Sequence, residues 1–403
     1  MNAAATSADP QVAGFDPARL ERIGSAMAAE IAAGRLPGAV IAVARRGQLA
    51  YLEAFGVRDP ETGAAMTTDA VFSIASMTKP MTSVAILQLF EQGRILLGDP
   101  VSAYLPAFEG LKLGAIDSDG GLTRVDLARL PTVQDLLRHT SGLTYQNRGS
   151  TPLHLAYPGS STSAALALIR DQAIEALAAC PLLFVPGTSW EYGFSTDVLG
   201  FIVEEVTGQS LGVYMRDNIW KPASMADTAF DLDDAARAHY ARALPNDPIT
   251  GAPQMLYHEC DGEKRWESGG GGAVSTARDY LRFAEALRHG GATDGGRILG
   301  PKTVRLMTSD HLAPQSAARI ADTMDPAAEG YGFGLGVAVR RANGISAMSG
   351  TAGDYYWSGV FGTYFWVDPA EEMSAVVMAA APGQMRLRYR QLVRALVYQA
   401  IVT

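Results

Sequence analysis

Hydrophobic and polar positions along the chain follow two patterns, one typical of helices and one typical of strands. Apolar residues recur at helical spacing after Asp16-Pro17, a cap followed by a first-turn proline, and predict a helix from there to about residue 34. Residues 39–44 and 49–55 are rich in β-formers and flank a short polar turn. The N-terminal part is therefore predicted to be a helix followed by a β-hairpin.

The rest of the chain divides into a helical middle and a mixed C-terminal part. Residues 71–75 form a short extended run that leads into a helix, and the pattern from 99 to 254 predicts mostly helices and loops, including one helix over 161–179. After residue 270 it predicts two helices, 277–288 and 384–400, and three strands, 332–339, 355–367 and 373–380.

These elements predict a sheet built from both chain ends, with helices packed on it and a helical insertion between them. We expect an α/β domain of residues 1–80 and 260–403, in which residues 1–14 are flexible, and a mostly helical domain of residues 81–259. A cleft between the two lobes is where a small-molecule site is expected.

Composition and charge narrow the class of protein. The 403 residues are 48% hydrophobic and 19% charged, which is typical of a globular chain. A net charge of -9 and the lack of a basic run argue against binding to nucleic acid or to an anionic membrane. No secretory signal and no run of 18 apolar residues is seen, and Cys180 and Cys260 lie far apart in sequence. We therefore expect a soluble, cytoplasmic protein with a small-molecule partner; the oligomeric state stays open.

The segment Ser76-Met77-Thr78-Lys79 places a hydroxyl and an amine one helical turn apart at a predicted strand-to-helix junction. The chain has 24 serines and 5 lysines. At those counts about 0.3 such spacings arise by chance, so the spacing alone is not specific. The chemistry it offers is a serine nucleophile, Ser76, whose proton is taken by an amine, Lys79. Lys79 must then be neutral, and we expect burial and the helix dipole to lower its pKa.

A second proton-handling group is needed to protonate the leaving group. The candidate is Tyr192, which lies among turn-forming residues just before a helix that Ser195 is predicted to cap. Such a loop can project a phenol into the cleft. Most of the 15 tyrosines are expected to be core residues, and this is also the alternative interpretation of Tyr192. What distinguishes Tyr192 is its position in the loop before this helix.

The tetrapeptide Trp357-Ser358-Gly359-Val360 lies in a predicted strand, where a glycine permits close approach of the backbone to a ligand. The N–H of Val360, paired with the N–H of Ser76, would form a two-donor oxyanion hole. Single donors of such a hole are worth roughly 3 kcal/mol. A glycine kink in an edge strand is the alternative interpretation.

Together these elements resemble the serine hydrolases of the class C β-lactamase and penicillin-binding-protein fold, and within them the family VIII carboxylesterases. The resemblance covers nearly the whole chain and includes Pro37-Gly38-Ala39-Val40, His139-Thr140-Ser141-Gly142-Leu143 and Gly271-Gly272-Ala273-Val274-Ser275-Thr276. It implies a fold of the α+β type, in which an antiparallel sheet is flanked by helices. A mostly helical inserted lobe completes this fold, and the active site lies in the cleft.

The resemblance also implies the roles of the site residues. Ser76 is the acylated nucleophile, and Lys79 and Tyr192 are its proton-handling partners. The N–H groups of Ser76 and Val360 form the oxyanion hole. Which of Lys79 and Tyr192 is the primary base stays open.

Two departures from the lactamase pattern indicate the substrate. The family's Tyr-x-Asn is Tyr192-Gly193-Phe194 here, which removes the amide that would orient a polar acyl-amide side chain. Its Lys-Thr-Gly is Trp357-Ser358-Gly359, which removes the cation that would pair with the carboxylate of a β-lactam. Losing such a contact costs on the order of 1.5–3 kcal/mol in recognition. We therefore expect Phe194, Trp357, Ser358 and Gly359 to form a substrate-binding surface for an uncharged ester.

The function predicted is a carboxylesterase that acts on esters of small to medium acyl chain. Three alternatives stay open. The same acyl-enzyme could transfer its acyl group to an alcohol or amine. Hydrolysis of β-lactams or other amides is disfavoured by Trp357 and Phe194. A binding protein that retains the fold is the alternative without catalysis.

Other features indicate less. His139 follows Asp135 by four residues and suggests a Ser-His-Asp arrangement, but it lies at the end of a predicted helix, where a histidine complements the helix dipole. The six histidines form no His-x-x-x-His pair or Cys/His cluster, so no metal and no cofactor are expected.

Overall fold

The computed structural model of the protein describes residues 9–260, 264–312, 316 and 320–403, without the side chains of residues 322 and 323. Its α-helices are α1 (Pro17–Ala32), α2 (Thr78–Glu91), α3 (Val133–Leu137), α4 (Pro152–Leu155), α5 (Ser161–Ala167), α6 (Arg170–Ala179), α7 (Ser195–Thr207), α8 (Leu211–Met215), α9 (Asp234–Ala238), α10 (Ala277–Arg288), α11 (Pro301–Met307), α12 (Ile320–Thr323) and α13 (Met385–Tyr398). Its strands are β1 (Gly38–Arg45), β2 (Gln48–Asp59), β3 (Ala64–Ala65), β4 (Phe72–Ser73), β5 (Lys112–Ile116), β6 (Leu122–Asp126), β7 (Val274–Ser275), β8 (Ala292–Thr293), β9 (Gly296–Arg297), β10 (Tyr331–Phe333), β11 (Ala338–Arg340), β12 (Tyr355–Ser358), β13 (Tyr364–Asp368) and β14 (Met373–Ala379). Of the residues 1–14 that were expected to be flexible, residues 1–8 lie outside the described part.

Eight strands form one antiparallel sheet in the order β10-β11-β12-β13-β14-β1-β2-β3. The C-terminal strands meet the N-terminal ones where β1 pairs with β14, from Ala39 opposite Ala379 to Arg45 opposite Met373. Every residue of β1 and β14 is buried, as expected of central strands covered on both faces. The predicted fold class, an antiparallel sheet flanked by helices and built from both chain ends, is confirmed.

Helices cover the sheet and form most of the inserted part. α10 packs on β1, β13 and β14, whereas α1 packs on β1, β2 and α13. α2 contacts α7 and α8 of the inserted part, and its residue Ser83 meets Gly336 at the turn between β10 and β11. The helix that follows the candidate nucleophile therefore lies at the junction of sheet and insertion. In the described ranges, every helix is too short or too polar to be a membrane span.

Local sequence signals set several of the helix ends. The Asp16 side chain accepts from the Arg19 N–H, with Pro17 in the first turn of α1. Gly208 ends α7 in the left-handed conformation, with φ 70°. Ser195, predicted to cap α7, is instead its first residue, and its Oγ bonds to that of Ser141 at 2.8 Å.

The structure differs from the sequence pattern mainly where turns interrupt it. The predicted helix 161–179 is two helices, α5 and α6, separated at residues 168–169. The predicted strand 332–339 is the hairpin β10–β11, which turns at Gly336 with φ 97°, and 355–367 is the hairpin β12–β13. The inserted part also holds a hairpin, β5–β6, that the pattern did not predict. The domain boundaries at residues 80 and 260 stay a prediction.

Candidate active site

Ser76 lies in a single 3₁₀ turn, Ala75–Met77, that runs directly into α2. The residue before it, Ala75, has φ 45°, a left-handed conformation that costs a non-glycine residue about 1 kcal/mol or more. Hydrogen bonds hold this turn: Thr78 Oγ1 donates to the Ala75 carbonyl at 2.7 Å, and Thr363 Oγ1 donates to the Ile74 carbonyl at 3.1 Å. The strained turn leaves Ser76 partly exposed between buried neighbours, where its Oγ can meet a substrate.

Lys79 lies one turn further along, with 1% of its surface exposed. Its Nζ donates to Ser76 Oγ at 3.4 Å, to the Tyr145 hydroxyl at 3.1 Å and to the Gly270 carbonyl at 2.5 Å. Burial alone would lower the pKa of Lys79, but its interactions with Tyr145, Tyr192 and Asp197 outweigh burial and raise it. The expectation that burial keeps Lys79 neutral is therefore wrong, because the surroundings favour the ammonium form.

Tyr192 lies in the segment before α7 and lines the same cavity as Ser76. Its ring centroid is 4.6 Å from Lys79 Nζ, a cation–π contact. Its hydroxyl is buried and has no hydrogen-bond partner among the described residues. The structure thus brings Tyr192 to Lys79 by the face of its ring, and its role in proton transfer stays a prediction.

The hydroxyl that does bond Lys79 belongs to Tyr145, which the sequence analysis did not select. Tyr145 lines the cavity, and its hydroxyl is 2.5 Å from Ser161 Oγ, which in turn donates to Asp197 Oδ2 at 2.5 Å. Burial raises the pKa of Tyr145, so its phenol is protonated at neutral pH. The only sequence signal was its place two residues after the motif that ends at Leu143.

Trp357 and Ser358 form the wall of the cavity opposite the inserted part. The Trp357 ring packs 5.4 Å from Tyr192 and 5.2 Å from Phe333, measured between centroids. An apolar indole therefore stands beside the phenol that faces Lys79. Both residues lie where the sequence placed the substrate-binding surface.

Gly359 lets the chain after β12 approach the turn that holds Ser76. A Cβ on Gly359 would lie 2.3 Å from the Ile74 carbonyl oxygen, so only glycine fits there without a backbone shift. The next residue, Val360, is 47% exposed and lines the cavity together with Ser76. Gly359 itself contributes packing rather than cavity lining, and the pairing of the Ser76 and Val360 N–H groups as an oxyanion hole stays a prediction.

Phe194 does not reach the cavity. It is fully buried and packs edge-on against Tyr145 at 4.9 Å and stacked on Tyr157 at 6.4 Å. The predicted direct contact of Phe194 with substrate is therefore not supported by its position. What Phe194 does is hold the ring of Tyr145 from behind.

A Ser-His-Asp triad is absent from this site. His139 is buried and packs 4.8 Å from the Tyr192 ring, and burial lowers its pKa well below the usual value, so it is neutral. Asp135 is bound instead by Arg129 at 2.6 Å and Arg138 at 2.9 Å. Within the described residues no group of three or more His, Cys, Asp or Glu could hold a metal ion.

The cavity above Ser76 has a volume of about 270 Å³. Aromatic and small residues line it together with four charged side chains, which are those of Arg148, Asp325, Arg386 and Arg390. A volume of this size suits an acyl group and part of an alcohol rather than a polymer.

The family model that matches the chain is Beta-lactamase, over residues 23–399. The chain belongs to the beta-lactamase family. The predicted resemblance to beta-lactamase-like serine hydrolases is therefore confirmed.

Proteins similar to this chain are named as esterases and acyltransferases. The chain is 31% identical to esterase EstB of Burkholderia gladioli, over 93% of this chain and 94% of EstB. It is 29% identical to the acyltransferase mokF of Monascus pilosus, over 82% of this chain and 80% of mokF. The solved structure of EstCE1, described as a hydrolase with promiscuous acyltransferase activity, matches with a TM-score of 0.76 and 28% identity over 94% of this chain and 99% of EstCE1. Serine hydrolase or acyl-transfer chemistry is thus supported for this member of the family.

Proposed function

We propose that this protein is a carboxylesterase, of the kind found in family VIII, that hydrolyses esters of small to medium acyl chain through an acyl-enzyme on Ser76. One observation carries the proposal. The cavity wall beside the nucleophile is the indole of Trp357, packed on Tyr192, where a β-lactam-binding relative would have a cation. An uncharged ester meets this wall without leaving a carboxylate unpaired.

In the proposed reaction Lys79, in its neutral form, takes the proton of Ser76 Oγ as this oxygen attacks the ester carbonyl. The N–H groups of Ser76 and Val360 bind the developing oxyanion. The alcohol leaves with a proton returned from Lys79 or Tyr192, which leaves the acyl group on Ser76. Water then attacks the acyl-enzyme by the same proton transfers in reverse and releases the acid.

The test is turnover of p-nitrophenyl acetate, butyrate and octanoate by the wild type and Ser76→Ala. We expect Ser76→Ala to lose at least about 10³-fold in kcat/KM, because the nucleophile is gone. The matched control is Ser83→Ala, which removes a buried serine hydroxyl from α2, the helix that follows Ser76. A fluorophosphonate should add its mass to the peptide that contains Ser76. Full turnover by Ser76→Ala would contradict the proposal.

The second candidate is acyl transfer from the same acyl-enzyme to an alcohol. It is favoured by the similarity to mokF and by the acyltransferase activity in the description of EstCE1. Adding a primary alcohol during ester turnover separates the two functions. A new ester in excess over free acid would make the protein an acyltransferase, whereas free acid alone supports the esterase.

Hydrolysis of β-lactams and a function without catalysis are the remaining alternatives. Nitrocefin turnover at a rate close to that of esters would favour the first. Failure of the fluorophosphonate to label the protein at all would favour the second. Neither alternative has an observation in its favour comparable to the wall at Trp357.

A further inference from the structure

The site holds a buried carboxylate that the esterase mechanism does not use. Asp197, in the first turn of α7, is fully buried and accepts from Ser161 Oγ at 2.5 Å, Ser268 Oγ at 2.6 Å and the Gly270 N–H at 2.9 Å. It forms no direct ion pair with Lys79. The two charged groups are joined through the hydroxyls of Tyr145 and Ser161 and, separately, through the backbone of Gly270, whose carbonyl accepts from Lys79 and whose N–H donates to Asp197.

The hydrogen bonds between these four residues have one direction. Ser161 has a single hydroxyl proton, and it is donated to Asp197 Oδ2. The Tyr145 hydroxyl must therefore donate to Ser161 Oγ, and Lys79 Nζ donates to the Tyr145 oxygen. Each step spans 2.5–3.1 Å. The result is an unbroken donor chain from the ammonium to the carboxylate.

Lys79 rests as an ammonium and so needs to lose a proton before it can act as the base for Ser76. We propose that Asp197 receives this proton through Tyr145 and Ser161, which makes Tyr145 a catalytic residue and Asp197 and Ser161 positioning residues of the relay. The inference rests on the proposed acyl-enzyme function of Ser76.

The transfer balances within the site. One N–H bond of Lys79 breaks as the Tyr145 oxygen takes that proton. The phenol proton passes to Ser161, the Ser161 proton passes to Asp197, and one O–H bond forms on the carboxylate. An ion pair thereby becomes a neutral amine and a neutral acid. Burial limits the cost of reaching this neutral form, because two isolated charges are themselves costly where water is excluded.

No second anionic acceptor is supplied by His139, Tyr145 or Tyr257, which face the relay. Burial raises the pKa of Asp197, which helps it to accept a proton, and lowers the pKa of the nearby His139, which stays neutral. The titratable side chains that act on Lys79 or Asp197, besides each other, are Tyr145, Tyr192, Tyr257 and His139. Burial raises the pKa of Tyr145 and Tyr257, so both stay protonated near neutral pH.

The test compares Asp197→Asn, Ser161→Ala and Tyr145→Phe by the pH profile of kcat/KM for p-nitrophenyl butyrate from pH 6 to 10, with Ser76→Ala as the background. We expect each variant to lose about 10²-fold at pH 7 and to recover as the pH rises, because Lys79 must now lose its proton to solvent. Recovery should need a higher pH in Ser161→Ala than in Asp197→Asn, since the remaining carboxylate still holds the ammonium. The control, Ser195→Ala, removes a buried hydroxyl of the same helix and should keep the wild-type profile.

Three results would overturn the relay. The first is a wild-type profile in Ser161→Ala and Tyr145→Phe beside a loss in Asp197→Asn alone, which would make Asp197 a counter-charge. The second is a loss of activity at every pH with an unchanged melting temperature, which would mean that these residues position the site without carrying a proton. The third is an unchanged profile in all three variants.

A measurement without turnover separates failure of the relay from failure of the esterase proposal. The chain has only 5 lysines, so the ¹⁵Nζ signal of Lys79 can be followed by NMR in protein labelled with [¹⁵N]lysine and assigned with Lys79→Met. We expect Lys79 to titrate at a lower pH in Asp197→Asn than in the wild type. Identical titration would overturn the coupling whatever the substrate, whereas loss of ester turnover in the wild type would overturn only the esterase.

Discussion

The protein buries two clusters of charge that are built differently. In the sheet-bearing part, Asp354 contacts Arg340 at 2.6 Å and Arg394 at 2.7 Å, and all three side chains are almost fully buried. In the active site, the buried Lys79 and Asp197 are separated by two hydroxyl groups. The first cluster is a direct ion pair, whereas in the second a chain of hydrogen bonds lies between the two charged groups.

The difference lies in which groups can change charge. Arginine keeps its proton in proteins, so Arg340 and Arg394 need the carboxylate of Asp354 permanently. Lysine and aspartate can both become neutral, and Lys79 and Asp197 can do so by sharing one proton. We therefore expect the directly paired cluster to serve stability and the separated one to serve the proposed proton transfer.

The largest expected effect on stability is that of Asp354→Asn. It leaves two buried guanidinium groups without a carboxylate and should lower the free energy of unfolding by about 3–5 kcal/mol. Urea denaturation measures it, with the exposed Asp171→Asn, which also removes a partner from an arginine, as the control. A loss no larger than that of the control would mean that the direct cluster does not stabilise the fold.

A smaller loss is expected for Tyr364→Phe. Arg394 Nη1 donates to the Tyr364 hydroxyl at 2.8 Å in a buried site. Removing this acceptor should cost about 1.5–3 kcal/mol in the free energy of unfolding and leave ester turnover unchanged. Loss of ester turnover in the folded variant would contradict the comparison, because the Asp354 cluster would then contribute to activity as well as to stability.

Lys79→Met should change stability by only about 1 kcal/mol, because the lost hydrogen bonds are offset by relief from burying a cation. Asp197 can then take up a proton and become neutral. Arg340 and Arg394 cannot become neutral in the same way when Asp354 is replaced, because arginine keeps its proton. Ester turnover should fall at least about 10²-fold. Urea denaturation and turnover are measured on the same sample, and a stability loss equal to that of Asp354→Asn would contradict the comparison.

The smallest effect is in the pH dependence of stability. Burial raises the pKa of Asp197 above its unfolded value, so between the two values the folded state binds more protons than the unfolded state. The free energy of unfolding should therefore fall as the pH rises through this window above about pH 4. Asp197→Asn removes this contribution, and urea titrations from pH 4 to 7 should show a weaker fall than the wild type. If the free energy of unfolding fell equally with pH in the wild type and in Asp197→Asn, the proton bound on folding would belong to a group other than Asp197.

Much of the fold could be predicted because its signals are local. The hairpin of β1 and β2, the helix α10 and the strand-to-helix setting of Ser76 follow from periodicity and caps within a few residues. The elements that turns interrupt could not be predicted in this way, since the breaks at residues 168–169 and at Gly336 depend on packing against other parts of the chain.

The site was predicted in part for the same reason. Ser76 and Lys79 share one helical turn, so their spacing is visible in the sequence. Tyr145 and Asp197 join them from separate segments, and no short-range pattern distinguishes them from other tyrosines and aspartates. Phe194 has the opposite error: its place two residues after Tyr192 suggested the cavity, but it lies at the start of α7, where it is buried behind Tyr145.

The pairing of β1 with β14 has a consequence for biosynthesis. Residues 38–45 leave the ribosome more than three hundred residues before their partners at 373–379. The turn that holds Ser76 is likewise fastened late, since Ile74 bonds to Ala273 and Thr363. Contacts this distant in sequence form slowly and leave strand edges open in the meantime. A nascent chain therefore carries Ser76 long before the site around it can form, and its unpaired strands can pair with other chains until synthesis is complete.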